Sequence, residues 1–394
     1  MFSLEKSCPV CASSPMKVFF ELLRIPIYCN LLWPKEDDAR NCPRGDIKLA
    51  FCDNCGFITN TAFDLNQLNY SQEYENSLHY SARFQEYATS LANQLIERHN
   101  LHGKDIIEIG CGKGDFLISL CEQENNRGVG FDPSYVPRSE HARFGGQVQF
   151  VQDFYSERYK DYRADLVCCR HTLEHVPDPN DLLRPLRRAL GDCANTVAFF
   201  EVPNVLDILK NLAIWDIIYE HCSYFAPVSL AYAFSMAGFS VCELREAFAG
   251  QFLCLEARPS EVRTDLAVEQ QAAVQQLAND VAAFTTQFHQ KVEVWKQQLA
   301  QLECRGQRAV VWGGGSKGVT FLNVLNPQKS IEYVIDINPR KQGMYIAGTG
   351  QKIVPPEFLQ TLRPDVAIVM NPVYTDEIRQ TVQSMGLTLE FLCV

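Results

Sequence analysis

Lys104-Asp105-Ile106-Ile107-Glu108-Ile109-Gly110-Cys111-Gly112-Lys113-Gly114-Asp115 is the stretch where an apolar run stops at a glycine-rich turn, and its reading decides the fold. Residues 104–109 read as a strand, and Phe116 to Leu120 continue as a helix. Glycines at 110, 112 and 114 let the backbone turn sharply and approach a ligand closely. A GxGxG turn alone is shared by several nucleotide folds, and two acids narrow the choice. Glu108, directly before the turn, would repel a pyrophosphate and suits a ligand carrying an amine and a sulfonium. Val129-Gly130-Phe131-Asp132 ends a second strand, 24 residues after Glu108, where an acid accepts hydrogen bonds from both ribose hydroxyls.

Working outward, Val148 to Gln152 is a third strand ending in Asp153-Phe154, placed to meet an adenine. Ala164 to Cys169 is a fourth, followed by Arg170-His171-Thr172-Leu173-Glu174-His175-Val176, and Thr196 to Glu201 is a fifth. A helix is expected over Val205 to Tyr219. Ser240 to Phe248 and Phe252 to Arg258 pair as a hairpin around Gly250. This α/β alternation implies a mostly parallel sheet. Seven strands with a terminal antiparallel hairpin, together with E-I-G-C-G-K-G, resemble the class I S-adenosylmethionine (SAM) methyltransferases. The resemblance implies a Rossmann-like α/β domain over 73–258 whose cofactor is SAM, with Glu108, Gly110, Gly112, Gly114, Asp132, Asp153, Phe154 and His171 around it.

Ahead of that domain, residues 1–72 are rich in Cys, Pro and Asn. Cys8-Pro9-Val10-Cys11 and Cys52-Asp53-Asn54-Cys55 are two CxxC turns with 40 residues between them, and together they complete a tetrahedral shell for a structural Zn²⁺. The alternative is two unrelated, redox-active turns; Cys29 and Cys42 lie between the pairs as competing ligands. Behind the domain, residues 259–303 carry Leu266, Val268, Val274, Leu277, Val281, Phe284, Phe288, Val292, Trp295 and Leu299 at mostly three- and four-residue steps, the pattern of one long amphipathic helix. Residues 304–394 return to strand, glycine turn and helix, with Arg308 to Trp312 running into Gly313-Gly314-Gly315-Ser316-Lys317-Gly318 and a second strand ending in Asp336.

The chain as a whole resembles the C-methyltransferases of nucleotide-linked keto-deoxysugars, which combine a Cys₄ zinc module, a class I domain and a C-terminal Rossmann-like domain. The residues carrying the likeness are Tyr219-Glu220-His221-Cys222-Ser223-Tyr224-Phe225, the Tyr-rich stretch from Tyr70 to Tyr87, Leu173-Glu174-His175-Val176, and Val311 to Gly318. That family's last turn usually begins Gly-Ala, where this chain has Gly313-Gly314. The resemblance implies methyl transfer to C3 of a 4-keto-6-deoxy sugar in branched deoxysugar biosynthesis, with the sugar nucleotide between the last two domains. Carbon methylation needs a base and a stabilised enolate oxygen. His221 is the expected base, with Glu220 and Tyr219 or Tyr224 orienting it or donating to the enolate. His175 falls where groups face the methyl donor. A histidine after a helix also bonds the last carbonyls, which is the alternative for both histidines. Tyr74 and Tyr80 either close over cofactor and substrate or pack the domain junction. The second glycine turn invites a second cofactor, but substrate binding is preferred, with Lys317, Arg340 and Lys341 meeting a diphosphate.

Composition sets outer limits. With 394 residues the chain exceeds one ordinary core, and 46% hydrophobic and 21% charged residues describe a globular protein. A net charge of −11 without a basic stripe argues against a nucleic-acid partner, and hence against an RNA methyltransferase with a zinc ribbon. Val18 to Trp33 is interrupted by Glu21, Arg24 and Pro26, so no membrane partner is expected. Sixteen cysteines without a signal pattern at Met1 to Lys6 suggest reduced thiols and a cytoplasmic protein, a monomer or small homo-oligomer. Methylation of oxygen or nitrogen on another small metabolite is the competing activity.

Overall fold

The computed structural model describes residues 7–13, 16–68, 74–122, 124–191, 193, 195–261, 268–327 and 330–394; Tyr70, Leu266 and the Val268 side chain fall outside what is described. Three sheets organise these residues. The central one has seven strands. Asp105–Ile109 lies in the middle, parallel to Arg127–Phe131 on one side and to Leu166–Arg170 on the other. Val148–Val151 extends the first side, and Val197–Pro203 the second. The hairpin of Phe239–Ala247 and Phe252–Pro259 closes the second side, its later strand inserted antiparallel against Val197–Pro203. This is the class I methyltransferase fold, and each of the seven strands falls within a few residues of its expected span. Leu166-Val167-Cys168-Cys169-Arg170 is buried at every position, which is why it reads as a continuous apolar run rather than an alternating one.

The N-terminal sheet is antiparallel throughout: Lys17–Pro26, Arg44–Phe51, Ile58–Asn60, and then a strand from far along the chain, Ser223–Tyr224. The C-terminal sheet has five parallel strands, with Ala309–Trp312 at its centre.

The expected amphipathic helix spans Val268–Cys304, 37 residues. Its apolar stripe from Val274 to Leu299 is buried, and it packs on two bodies at once. At its middle, the Phe284 and Phe288 rings meet the Phe20 ring of the N-terminal sheet at 5.4 and 4.6 Å. Further along, the Trp295 ring meets Phe321 of the C-terminal domain at 5.3 Å, and Trp215 meets the same ring at 4.9 Å. A stripe at 3.6-residue spacing wide enough to touch both neighbours turns a connector into a spine.

One expectation needs correction. No single helix runs from Val205 to Tyr219. The helix is Val205–Lys210, started by Asn204 accepting from the Leu206 N–H, and a 3₁₀ turn follows at Ile214–Asp216. Between them Leu212 takes the left-handed conformation (φ 55°), which an α-helix does not accommodate. The break lets Ile214, Trp215, Ile217 and Ile218 all be buried, as one helical face could not. Tyr219 and His221 are therefore not at the end of a helix.

Phe284 is fully buried against two phenylalanine rings of the N-terminal sheet. Replacing it with alanine should cost about 3–5 kcal/mol. Chemical denaturation should show this as a lower midpoint for the transition that carries the N-terminal sheet.

Candidate functional site

The glycine turn after Asp105–Ile109 holds Gly110, Gly112 and Gly114 at φ 72°, 54° and 85°, which suits residues lacking Cβ. A Cβ on Gly110 would fall 1.9 Å from Thr172 Oγ1, so that face of the turn is closed by protein. A Cβ on Gly112 would meet nothing within 4 Å, so the next face is open. Asp132 Oδ2 accepts from the Gly112 N–H at 2.8 Å, and its other oxygen accepts from the Ser134 N–H and hydroxyl at 2.8 and 2.6 Å. Asp153, past the third strand, accepts from the Tyr159 hydroxyl at 2.6 Å, which lowers its pKa, and Phe154 beside it is exposed.

Glu108 is 3% exposed, and its Oε2 has no partner among the described residues. Burial pushes its pKa up to about 8, opposed by Arg170. That arginine was given no role by the sequence. It closes the apolar strand Leu166–Arg170, lies 4.0 Å over the Phe116 ring and pairs with buried Glu201 at 2.9 Å. An acid ending in an orphaned oxygen, an open glycine face and a ribose-positioned acid fit a SAM-like ligand: Glu108 would meet its amine and Asp132 its sugar.

Beyond the fourth strand, the turn Leu173–His175 brings the histidines together. His175 Nδ1 lies 2.9 Å from the Glu220 carbonyl oxygen. A carbonyl only accepts, so Nδ1 carries the proton and a neutral His175 keeps its lone pair on Nε2. The His175 and His221 rings are 5.0 Å apart, and donor atoms of Glu174, His175 and His221 lie within 4.8 Å of one another. Burial pushes His221 down to about 3, with His175 adding to the effect, so its imidazole is neutral at physiological pH. Burial alone would raise Glu174, but His171, with the other histidines, holds it below its ordinary value as a carboxylate. His171 sits between Glu201 (2.9 Å) and Glu174 (3.7 Å). Burial opposes its charge, yet the two acids raise it to about 9. Glu174, quoted in the sequence only as part of a motif, is the anion common to this group.

Glu220 is completely buried, and burial raises its pKa. Its Oε2 accepts from the Cys29 N–H at 3.1 Å, the Tyr74 side chain also bonds it, and Oε1 has no partner. Tyr74 is thus buried at the junction, whereas Tyr80 is 41% exposed. The two other tyrosines are placed differently from expectation. Tyr219 turns into the N-terminal module, its ring against Phe63 and its oxygen accepting from the Asp64 N–H at 3.0 Å. The Tyr224 hydroxyl donates to the Ile218 carbonyl at 3.3 Å, its ring 6.3 Å from His221. Each hydroxyl is engaged by a backbone group, Tyr219 as acceptor and Tyr224 as donor, and neither of these bonds reaches the His221 ring.

In the C-terminal domain Asp336 Oδ2 accepts from Gly314 N–H at 2.8 Å, repeating the Asp132–Gly112 bond. Here the turn is filled. Lys341 is buried and donates to Asn30 Oδ1 at 3.0 Å and to the Gly314 carbonyl at 3.4 Å, while Asn30 donates to Ser316. Lys317 pairs with Asp216 at 2.7 Å. Arg340, half exposed, pairs with buried Glu75 at 2.9 Å, and Asn338 also donates to Glu75. Of the three basic residues expected at a diphosphate, two amines are thus already bonded inside the protein.

The two CxxC turns meet. Cys8 and Cys55 Sγ are 3.6 Å apart, Cys11 and Cys52 Sγ 3.5 Å, and all four lie within 4.8 Å of one another. Tetrahedral Zn–S bonds of about 2.3 Å require sulfurs about 3.8 Å apart, so the donor set fits zinc. Cys29 lies instead beside Glu220, and neither it nor Cys42 joins this cluster.

Residues 79–244 match the family described as a methyltransferase domain, and 253–388 match the C-methyltransferase C-terminal domain. The chain carries these two domains in that order. It is 34% identical over 89 residues to the ubiquinone biosynthesis O-methyltransferase of Escherichia coli O127:H6, covering 21% of this chain and 37% of that protein. The same-named protein of Escherichia coli O7:K1 is 33% identical over equal shares. The chain thus spans little more than a third of the length of these curated relatives. Among solved structures it is similar to 1,6-didemethyltoxoflavin-N1-methyltransferase of Burkholderia thailandensis (19% identity, TM-score 0.35, covering 45% of this chain and 80% of that one). It is also similar to magnesium protoporphyrin IX methyltransferase of Synechocystis PCC 6803 (18%, TM-score 0.36, covering 45% and 84%).

Purified protein should contain one zinc per chain by elemental analysis, and Cys52→Ser should lower that content and the thermal midpoint together. If the Glu108 acid meets an ammonium, it must ionise on binding. S-adenosylhomocysteine binding at pH 7 should then release about one proton, read from the dependence of calorimetric heat on buffer ionisation, and Glu108→Gln should abolish the release.

Proposed function

We propose that this protein is a SAM-dependent C-methyltransferase acting on a nucleotide-linked 4-keto-6-deoxy sugar, at C3. The observation carrying the reading is the partly buried His221 whose ring lies 5.0 Å from His175, with its donor atom within 4.8 Å of those of Glu174 and His175. The match of 253–388 to a C-methyltransferase C-terminal domain supports carbon as the acceptor.

SAM, when bound, supplies an electrophilic methyl group on sulfur. Gly112, Glu108 and Asp132 bind and orient it. His221 removes the proton next to the ketone. A base must be unprotonated before it acts, and burial keeps His221 so. Its low proton affinity is offset by Glu174, whose charge favours the imidazolium once formed. Glu174 is thus a positioning and electrostatic residue. His175, fixed as the Nδ1–H tautomer by the Glu220 carbonyl, stands with its ring 5.0 Å from that of the base and orients it toward the substrate. Glu220, anchored by Cys29, holds the segment carrying both its own carbonyl and His221. The four-cysteine cluster, with zinc bound, would fix the module from which Cys29 reaches this site.

His221→Gln should reduce kcat by roughly 10²–10⁴-fold with little change in S-adenosylhomocysteine affinity. Incubating the wild type with dTDP-, GDP- or CDP-linked keto-sugars in D₂O without methyl donor should exchange the proton at C3. Carbon NMR of the product from ¹³C-labelled SAM should show a C–CH₃ signal. An O–CH₃ or N–CH₃ signal would overturn the carbon reading, and the partial likeness to an O-methyltransferase makes the former the outcome to look for.

A further inference from the structure

Lys113 sits inside the glycine turn, between Gly112 and Gly114, and the reaction described above does not use it. It is 8% exposed, and its Nζ has no hydrogen-bond partner among the described residues. A buried ammonium without a partner is costly, and such groups are normally found paired. The acids whose charge reaches it are already engaged. Glu75 is held by Arg340 and Asn338, and Asp132 by Gly112 and Ser134. The other charges nearby are cationic: Arg340 and Arg138, the latter paired with Asp115 at 3.0 Å. Half-exposed Tyr80 feels the same arginines and Glu75, and the bonds of Glu75 to Arg340 and Asn338 join this group to the Asn338–Lys341 segment, forming a seam with the turn.

We propose that Lys113, together with Arg340, receives an anionic oxygen group of a bound molecule at this seam. Two sources share that chemistry: the carboxylate of the methyl donor and a phosphate of the nucleotide substrate. The inference rests on the reading of the turn as a methyl-donor site. It reassigns the anion-binding role away from Lys317 and Lys341, whose amines are bonded to Asp216 and Asn30. Burial lowers the Lys113 pKa, consistent with a cation that lacks its counter-charge within the protein. An arriving anion supplies it, and a charge-assisted bond in a desolvated place is among the stronger ones.

The test compares wild type, Lys113→Met and Lys113→Arg by calorimetry with three probes: S-adenosylhomocysteine, 5′-methylthioadenosine, which lacks the amino-acid part, and inorganic pyrophosphate. If the carboxylate is the source, Lys113→Met weakens S-adenosylhomocysteine at least about tenfold and leaves methylthioadenosine unchanged. If phosphate is the source, the same loss falls on pyrophosphate alone. In either case Lys113→Arg restores binding, and Arg340→Gln weakens the same probe. Unchanged binding of both anionic probes by Lys113→Met overturns the proposal. So does an equal loss for all three probes, which reports damage to the turn. Failure of the wild type to bind either adenosine probe sinks the methyl-donor reading instead, and pyrophosphate then decides the anion site by itself.

Discussion

The arrangement of the site depends on one short strand pairing. Ser223–Tyr224 joins the N-terminal sheet through Tyr224↔Ile58 and Ser223↔Thr59, although the partners lie more than 160 residues apart in the chain. The Cys222 carbonyl accepts from both the Asn60 N–H (2.9 Å) and the Thr59 hydroxyl (2.7 Å), while the Cys222 N–H donates to the Glu174 carbonyl (2.9 Å). One residue is therefore bonded to two bodies, and His221 directly precedes it. A strand's side chains alternate between faces, so a one-residue slip would send the neighbouring side chains the wrong way. The N-terminal module thereby sets where the candidate base stands relative to His175, and the long helix holds that module against the C-terminal domain.

Electrostatics follow from this closure. The segment that carries Glu220 and His221 seals a region where Glu108, Arg170, Glu174, Glu201 and Glu220 are all nearly or fully buried. Charges survive there only by alternating. Arg170 and His171 share Glu201, and His171 also faces Glu174. Two acids at the ends of this set, Glu108 and Glu220, each keep an oxygen without a partner and are pushed toward the neutral form. The middle of the set is ionised through its ion pairs, although Arg170 Nη2 and Glu174 Oε2 also lack hydrogen-bond partners among the described residues, and the acids at the ends are held toward neutrality. Such division between settled and unsettled groups is how a binding site prepares charge before anything arrives.

The sequence made the central sheet legible because its strands obey local rules: apolar runs, several of them ending in a glycine turn or an acid. The spine helix was legible by its spacing and the four-cysteine cluster by its CxxC turns. Less visible was anything decided by distant partners. Ser223–Tyr224 is two residues long and has no periodicity of its own; it is a strand only because Ile58–Asn60 offers an edge. The break at Leu212 is likewise imposed by burial of Trp215 and its neighbours, which overrides a pattern that favours helix. Tyr219 and Tyr224 sit beside the histidines in sequence, and that proximity suggested a shared task, but the backbone sends their hydroxyls to Asp64 and Ile218.

The two glycine turns show most clearly why motif and function separate. Each follows a central parallel strand, and in each an acid at the end of the neighbouring strand accepts from a glycine N–H at 2.8 Å. By sequence they invite the same ligand class. What differs is the face beyond. At Gly112 the space is empty to 4 Å, whereas a Cβ on Gly315 would lie 3.7 Å from Lys341 Nζ and 3.8 Å from Asn30 Oδ1. Asn30 comes from the N-terminal module, next to the Cys29 that anchors Glu220. The second turn has therefore exchanged a ligand for a structural contact, its lysine serving as the internal counterpart of whatever a cofactor would have brought. That exchange ties the C-terminal domain through adjacent residues to the acid behind the candidate base. It leaves Lys113, on the open turn, as the buried cation with room to be met.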